Sequence, residues 1–579
     1  MWPLRFEQRA GQPPIWFYHR IRDLVFLGEE FRGLDLFTSI LKRGVAWPSQ
    51  VPKKIKIMKS KMNRRLGMAI VASALWAFRL LAADSAPLRP NILFIAVDDL
   101  RPELGCYGKD YVKSPNIDRL ARSAMVFNRA YCQQAVCSPT RSSLMTGTRP
   151  DTTKVWDLVT HFRTALPEVV TLGQHFKLHG YFVQGMGKIY HGGYDDPLTW
   201  SVPWQTPRAI KYALPENQEL AGRRFEGEPD GDAKPKAKKN NKKRAAGAPD
   251  GPPPTGLNSR GPAFEAADVP DNTFQDGKVA ELAITTLREL QQKHEPFFLA
   301  VGFIKPHLPF VAPKKYWNLY DPAKIQLAPN KFRPQGAPDY AILPGGELRN
   351  YSGIPGGTIP DDLALQLKHG YFAAISYMDA QVGKVLDELD RLGISQNTIV
   401  ILWGDHGWKL GEHDAWCKHS NVENDVNSTL LLAVPGMKTG GQHTDALVEF
   451  VDIYPTLSEL AGLPLPAHLE GTSFKPLLEH PQLPWKTAAF SQYPRAVKGG
   501  LMGYSMRTAR YRFTVWVGRK DHTRVDAVEL YDHETDPQEN QNVAPDPANV
   551  ALVAKLMAQW QQGWQGAKPP APAEFNRHP

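Results

Sequence analysis

Three apolar runs of strand length stand out along the chain, and each ends on a short cluster of polar residues. Asn91–Val97 is nearly continuous in hydrophobicity and stops at Asp98-Asp99. Phe297–Phe303 stops just before Lys305-Pro306-His307, and residues 398–403 run into Gly404-Asp405-His406-Gly407. An apolar run without alternation marks a strand covered on both faces, as in a parallel sheet. Between these runs short apolar segments alternate with helical patterns, which predicts an α/β layering. Residues 371–392 place Phe372, Ile375, Met378, Val382, Val385, Leu386 and Leu389 on one helical face, so a long amphipathic helix is expected to cover the sheet. From about Leu463 the pattern changes. Residues 506–517 alternate and are rich in Arg, Thr, Tyr and Trp, which predicts an antiparallel strand in a separate small sheet. Residues 529–532 continue that sheet, and 550–564 are expected to form a closing helix.

Ligands of open α/β sheets bind outside the carboxyl ends of the strands, so the polar clusters after the three runs are expected to meet in one crevice. Asp98, Asp99 and Asp405 make a hard-oxygen set suited to Ca²⁺ or Mg²⁺. The pentapeptide Cys137-Ser138-Pro139-Thr140-Arg141 adds a cysteine, a helix-starting proline and an arginine one helical turn on, where backbone N–H groups of a helix start favour an anion. Each feature alone has a structural explanation. A paired aspartate after a strand is commonly a turn or cap, a lone histidine a polar loop residue, and a lone cysteine a small buried hydrophobe. Their joint occurrence in this order favours a functional site.

The pentapeptide has the Cys-x-Pro-x-Arg form, and with it the chain resembles the formylglycine-dependent (type I) sulfatase family. Gly187-Lys188-Ile189-Tyr190-His191, residues 301–310, Trp403-Gly404-Asp405-His406-Gly407-Trp408, Leu410-Gly411-Glu412-His413 and Lys418 are similar to segments of the iduronate-2-sulfatase group within that family. So are Ser491-Gln492-Tyr493-Pro494-Arg495, Met502-Gly503-Tyr504-Ser505 and residues 511–517, and the similarity spans roughly 91–542. The resemblance implies an alkaline-phosphatase-like sulfatase fold. Its catalytic domain, 87–462, would hold a large mixed sheet flanked by helices, and a smaller C-terminal α+β subdomain, 463–579, would carry an antiparallel sheet.

The resemblance also implies hydrolysis of a sulfuric ester on a sulfated mono-, oligo- or polysaccharide, with a 2-O-sulfated uronic acid as the expected sugar. A formylglycine-generating maturation system would convert Cys137, whose hydrate would attack sulfur. One divalent cation, Ca²⁺ before Mg²⁺, would be held by Asp98, Asp99, residue 137, Asp405 and His406. Arg141, Lys188, His191, His307 and Lys418 would surround the sulfate, with His307 or Lys418 as general acid. Ser138 and Thr140 fill the variable motif positions and leave the required residues intact. Cys132 lies close enough in sequence that a disulfide to Cys137 would block maturation. Trp408, Tyr493, Arg495 and Trp516 are candidates for a sugar subsite, with packing as the alternative. The same scaffold supports phosphatases and phosphodiester or phosphonate monoester hydrolases, which usually hold two metals and a Ser or Thr nucleophile, and Cys137 argues against these. A non-enzymatic sulfated-glycan-binding protein would require that Cys137 is never converted.

A chain of 579 residues buries a large core. Four cysteines make no disulfide framework. The net charge of +10 is concentrated in residues 1–65, which hold 14 Lys and Arg against 5 Asp and Glu, so it does not indicate a nucleic-acid partner. Lys59, Lys61, Arg64 and Arg65 precede the apolar stretch 66–78 and then Leu81-Ala82-Ala83, the architecture of a signal peptide over 58–86. That stretch is short for a membrane span, so the expectation is export to the periplasm or medium without stable membrane insertion. With Met58 or Met62 as start, residues 1–57 would be a non-native extension; the alternative is a genuine extension with an internal anchor. Residues 227–262 are rich in Lys, Pro, Gly, Ala and Asp, and 234–244 hold seven basic residues and no acidic one. They are expected to form a disordered basic surface insertion, alternatively a tether for a polyanionic polysaccharide.

Overall fold

A computed structural model describes residues 89–221 and 260–570. The signal-peptide reading, the N-terminal extension and most of the basic insertion therefore lie outside the described residues. The last residues of the insertion are held in place: the Tyr212 hydroxyl donates to the carbonyls of Arg260 (2.9 Å) and Pro262 (2.6 Å).

Among the described residues, seven strands form the main sheet: β1 (Asn91–Val97), β2 (Met125–Phe127), β3 (Phe182–Gly187), β4 (Phe297–Phe303), β5 (Thr398–Gly404), β6 (Leu430–Ala433) and β7 (His443–Thr444), in the order β7-β2-β6-β5-β1-β4-β3. The three apolar runs are three adjacent inner strands, β5, β1 and β4, and every residue in them is buried. β3, β4, β1 and β5 run parallel to one another, whereas β6 runs antiparallel to both β5 and β2, so the sheet is mixed. Register decides where the site lies. Val97 pairs with Phe303 on one side and Gly404 on the other, and Gly187 pairs with Gly302. Four parallel strands therefore end level, and the loops after them emerge on one rim.

The two faces of β1 feed two cores. Leu93, Ile95 and Val97 pack with residues of α3 (Gln275–Lys293) and α4 (Asp361–Arg391). Ile92, Phe94 and Ala96 pack on the other face against α1 (Cys137–Thr146), α2 (Leu172–Leu178) and α5 (Ile453–Leu460). Burying a large apolar side chain in such a layer contributes about 1.5–3 kcal/mol. All seven apolar positions expected on the long helix are buried, from Phe372 to Leu389. The helix starts well before Tyr371, because Ala364 and Leu367 extend the buried stripe and Asp361 and Asp362 place negative charge at its N-terminus.

The second sheet is antiparallel, with β8 (Ala488–Arg495), β9 (Leu501–Thr508), β10 (Tyr511–Gly518) and β11 (Val525–Asp532) in chain order. Residues 506–517, expected as one strand, are the end of β9 and nearly all of β10: the chain turns at Ala509-Arg510, without a glycine or asparagine to signal it. The Thr508 hydroxyl makes the turn instead, accepting from the Tyr511 N–H (2.9 Å) and donating to its carbonyl (3.2 Å). The closing helix α6 covers Val550–Gln561 and gives way at the left-handed Gly563 to a short turn of helix. Leu556 of α6 packs with Phe513, Val515 and Leu530.

Buried charge ties the second sheet to the first layer. Glu449 accepts two hydrogen bonds of 2.8 Å from Arg149, another of 2.8 Å from Lys486, and one of 2.9 Å from the Phe490 N–H at the start of β8. Burial pushes the Glu449 carboxyl up, but Arg149 and Lys486 outweigh it and hold the group at about 2. A carboxyl held below its unfolded value contributes stability above about pH 4.5, and that contribution is lost as pH falls toward 2. In urea titrations across pH 2–7, Glu449→Gln is expected to lower stability at neutral pH and to flatten the decline below pH 4.5; a decline as steep as in the wild type would show that other carboxyls set it.

Candidate active site

Each strand end delivers its group by a local device. After β1 the chain kinks at Asp99, whose φ of 60° lies in the left-handed region that few non-glycine residues adopt. Two hydrogen bonds hold it there: the Tyr371 hydroxyl of α4 donates to the Asp99 carbonyl (2.7 Å), and the Asp99 N–H donates to Asp405 Oδ1 (3.0 Å). At the end of β3, Gly187 has φ 66°, and a Cβ there would lie 2.0 Å from the Gly302 carbonyl oxygen. This close approach lets the Lys188 N–H donate to Gly302 (3.0 Å) and aims the lysine inward. After β4, Asp276 accepts from the N–H groups of Ile304 (2.8 Å) and Lys305 (2.9 Å). The Lys305 ammonium turns into its own loop, donating to the carbonyls of His307 and Pro309, so it is framework.

Cys137 is the first residue of α1, entered from an extended Val136. Its Sγ lies 3.4 Å from Asp98 Oδ1, 3.4 Å from His406 Nε2 and 3.7 Å from Lys188 Nζ. Arg141, one turn on and without solvent exposure, donates to Asp405 (2.9 Å), Asp98 (3.0 Å) and the carbonyls of Lys188 (2.5 Å) and Ile189 (3.0 Å). Lys188 pairs with Asp98, and Lys418 donates to both oxygens of Asp99 at 3.1 Å. His307 Nε2 lies 3.9 Å from both Asp98 and Asp99. His191 contributes differently: its Nδ1 is buried without a hydrogen-bond partner, and burial together with Lys188 drives the ring to about 3, so it is neutral.

The donor atoms suit one cation. His406 Nδ1 faces the Gly407 carbonyl at 3.0 Å, which places the hydrogen there and leaves the Nε2 lone pair pointing inward. That Nε2 is 3.4 Å from Asp99 Oδ1 and 3.6 Å from Asp405 Oδ1. Oxygen and nitrogen ligands at 2.3–2.6 Å from a Ca²⁺ ion stand roughly 3.3–3.7 Å apart at right angles, and around Mg²⁺ roughly 3 Å apart. The spacings of 3.4 and 3.6 Å at His406 fall in the first of these ranges. A second acidic group, Glu423, His533 and Glu539, is instead filled by the Arg512 guanidinium and serves as an ion-pair network under the second sheet.

The charges oppose one another. Burial pushes Asp98 up, but Lys188, His307 and Arg141 outweigh it and hold it well below the carboxylate range. Burial raises Asp99 above that range despite Lys418. The Cys137 thiol is pushed far up by burial and then by Asp98, so it stays protonated. Cys132 is free and buried, its sulfur 4.0 Å from the Asp425 carbonyl, and among the described residues no disulfide competes for Cys137.

Trp408 and Trp516 are buried. Arg495, also buried, donates to the carbonyls of Tyr340, Ala341 and His419, so it braces the turn that follows Lys418. Three contributors carry no signal in the sequence that marks them for the site. Thr140, at a variable motif position, donates to the Asp405 carbonyl (3.0 Å). Tyr371 carries only a helical signal. Glu347, in a loop without periodicity, bridges Lys418 (2.7 Å) and His307 (2.9 Å), and only the Gly345-Gly346 pair before it hints at a close backbone approach.

The chain matches known proteins over most of its length. A family model described as Sulfatase matches residues 90–463, and one described as N-sulphoglucosamine sulphohydrolase, C-terminal, matches 411–565. Iduronate 2-sulfatase of Mus musculus is 36% identical over 549 residues, covering 82% of this chain and 94% of its own. A solved structure in complex with its substrate D-glucosamine-2-N,6-O-disulfate has a TM-score of 0.63 at 20% identity, covering 83% of this chain and 98% of its own. The phosphonate monoester hydrolase of Silicibacter pomeroyi has a TM-score of 0.62 at 21% identity, covering 83% and 96%. At these identities the two solved structures share the fold.

Removing the Tyr371 hydroxyl leaves the Asp99 carbonyl without that donor. Tyr371→Phe is expected to weaken Ca²⁺ binding roughly 10–100-fold in calorimetric titration; unchanged affinity would show that the kink at Asp99 holds itself.

Proposed function

We propose that this chain, which belongs to the sulfatase family and is a sulfatase, removes sulfate from a sulfated sugar, with a 2-O-sulfated uronic acid as the first candidate. The observation that carries the reading is the meeting of Cys137, three carboxylates, His406 and five cationic or hydrogen-donating side chains at the level rim of four parallel strands. Support for the sugar comes from the iduronate 2-sulfatase relative, which extends through both sheets.

The residues divide the work. Once converted to formylglycine hydrate, residue 137 supplies an oxygen nucleophile. A divalent cation, Ca²⁺ by the donor spacing, supplies Lewis-acid polarisation of the sulfate when bound. Asp98, Asp99, Asp405 and His406 would hold that ion beside residue 137. Left as cysteine, residue 137 is a protonated, buried thiol and a poor nucleophile, which supports conversion. Arg141 fixes Asp98 and Asp405 relative to residue 137. Lys188 and Lys418 bring positive charge to the sulfate oxygens, and neutral His191 adds a hydrogen bond. His307 or Lys418 gives the departing sugar oxygen its proton.

Export fits a sugar substrate outside the cell, and among the described residues no helix is long and apolar enough to cross a membrane. The phosphonate hydrolase reading has the shared fold in its favour and no more.

The test is mass spectrometry of the peptide containing residue 137, from protein made with a formylglycine-generating system, combined with sulfate release from a panel of sulfated sugars. An aldehyde mass and release from a 2-O-sulfated uronic acid are expected. Cys137→Ala should abolish release, and chelation should abolish it reversibly, with Ca²⁺ restoring more activity than Mg²⁺. Faster cleavage of phosphonate or phosphate diesters than of any sulfate ester would overturn the reading.

A further inference from the structure

Glu347 belongs to none of the strand ends, yet its two carboxylate oxygens serve two different groups of the site. Oε1 lies 2.9 Å from His307 Nε2, and Oε2 lies 2.7 Å from Lys418 Nζ. The opposite ring nitrogen, His307 Nδ1, is 2.6 Å from the Leu308 carbonyl. A carbonyl and an ionised carboxylate only accept, so both nitrogens of His307 carry hydrogens in this arrangement. Lys418 lies between the carboxylates of Glu347 and Asp99, with its ammonium 4.8 Å from the centre of the Trp408 ring. A single carboxylate thus offsets the repulsion between two neighbouring hydrogen-rich groups.

The backbone is built to keep it there. Gly345 has φ 88°, and a Cβ at that position would lie 2.3 Å from the Trp416 carbonyl oxygen. The segment carrying Glu347 therefore runs against the turn that carries Cys417 and Lys418, itself held with positive φ at Cys417 (71°) and His419 (89°). The Glu347 side chain is 13% exposed. Burial pushes its carboxyl up, but Lys418 and His307 outweigh that and hold it well below the usual range, so it remains an anion.

We infer that Glu347 is a positioning residue of the hydrolysis, resting on the function proposed above: it holds His307 and Lys418 side by side, each with a hydrogen to give, where the sugar oxygen departs. That oxygen keeps the electron pair of the broken S–O bond and needs a proton in proportion to its basicity. A sugar alkoxide needs it strongly, and 4-nitrophenolate hardly at all. Glu347→Gln keeps the shape but removes the charge and turns an NH₂ toward one of the two donors, while Glu347→Asp keeps the charge on a shorter arm.

The experiment compares wild type, Glu347→Gln and Glu347→Asp on a 2-O-sulfated uronic acid and on 4-nitrophenyl sulfate, with formylglycine content and melting temperature matched. Glu347→Gln is expected to lower kcat on the sugar by roughly 10²-fold with KM little changed, while kcat on the aryl ester falls far less, and Glu347→Asp should recover part of the loss. Equal losses on the two esters, or none, would overturn the inference. Crystal structures of wild type and Glu347→Gln give a readout independent of turnover: His307 Nε2 and Lys418 Nζ should move apart, and unchanged positions would overturn it. A wild type that releases no sulfate from any ester would instead sink the proposed function, leaving Glu347 to be judged on the crystal structures.

Discussion

A single guanidinium fixes the geometry of the rim. Arg141 has no contact with solvent and joins the ends of three strands, through Asp98 after β1, Asp405 after β5 and the carbonyls of Lys188 and Ile189 after β3. Withdrawing such a charge from water costs several kcal/mol unless its donors are paired, and here they are paired with two buried carboxylates and two carbonyls. The level register of the strands sets the ends at equal height, and Arg141 fixes the spacing between them. Because α1 carries both Arg141 and Cys137, the sulfur of residue 137 is located by the same side chain that orders the acidic groups around it.

Opposed charges nearly balance in the site. Asp98, Asp99, Asp405 and Glu347 face Arg141, Lys188, Lys418 and His307, whose two ring nitrogens both lie against acceptors. A divalent cation would tip that balance to positive and suit an anion, which is the charge of a sulfate ester. Asp99 stands apart, because burial there outweighs its lysine partner and raises the carboxyl.

Much of this was legible because it depends on short-range pattern. The inner strands β5, β1 and β4 could be read from unbroken apolar runs, since a strand covered on both faces has no polar side to show. The face of α4 was legible at all seven positions because helical periodicity and burial coincide. Residues brought to the rim were legible where they directly follow a strand or belong to the pentapeptide. The hairpin at Ala509-Arg510 was not, because a threonine hydroxyl makes a turn that usually needs glycine or asparagine. Glu347 and Tyr371 were hidden for a different reason. They reach the site through contacts distant in sequence, Tyr371 to Asp99 and Glu347 to Lys418, and nothing in their local sequence encodes those partners.

The segment just before residue 137 is closed by a part of the chain synthesised much later. In β8, Ser491 donates to the Cys132 carbonyl (2.6 Å) and the Gln492 N–H to that of Gln133 (2.8 Å), while Cys137 itself is 2% exposed. An enzyme acting on Cys137 would meet the side chain open only before β8 docks, so the order in which the chain is made would set a deadline for any such modification.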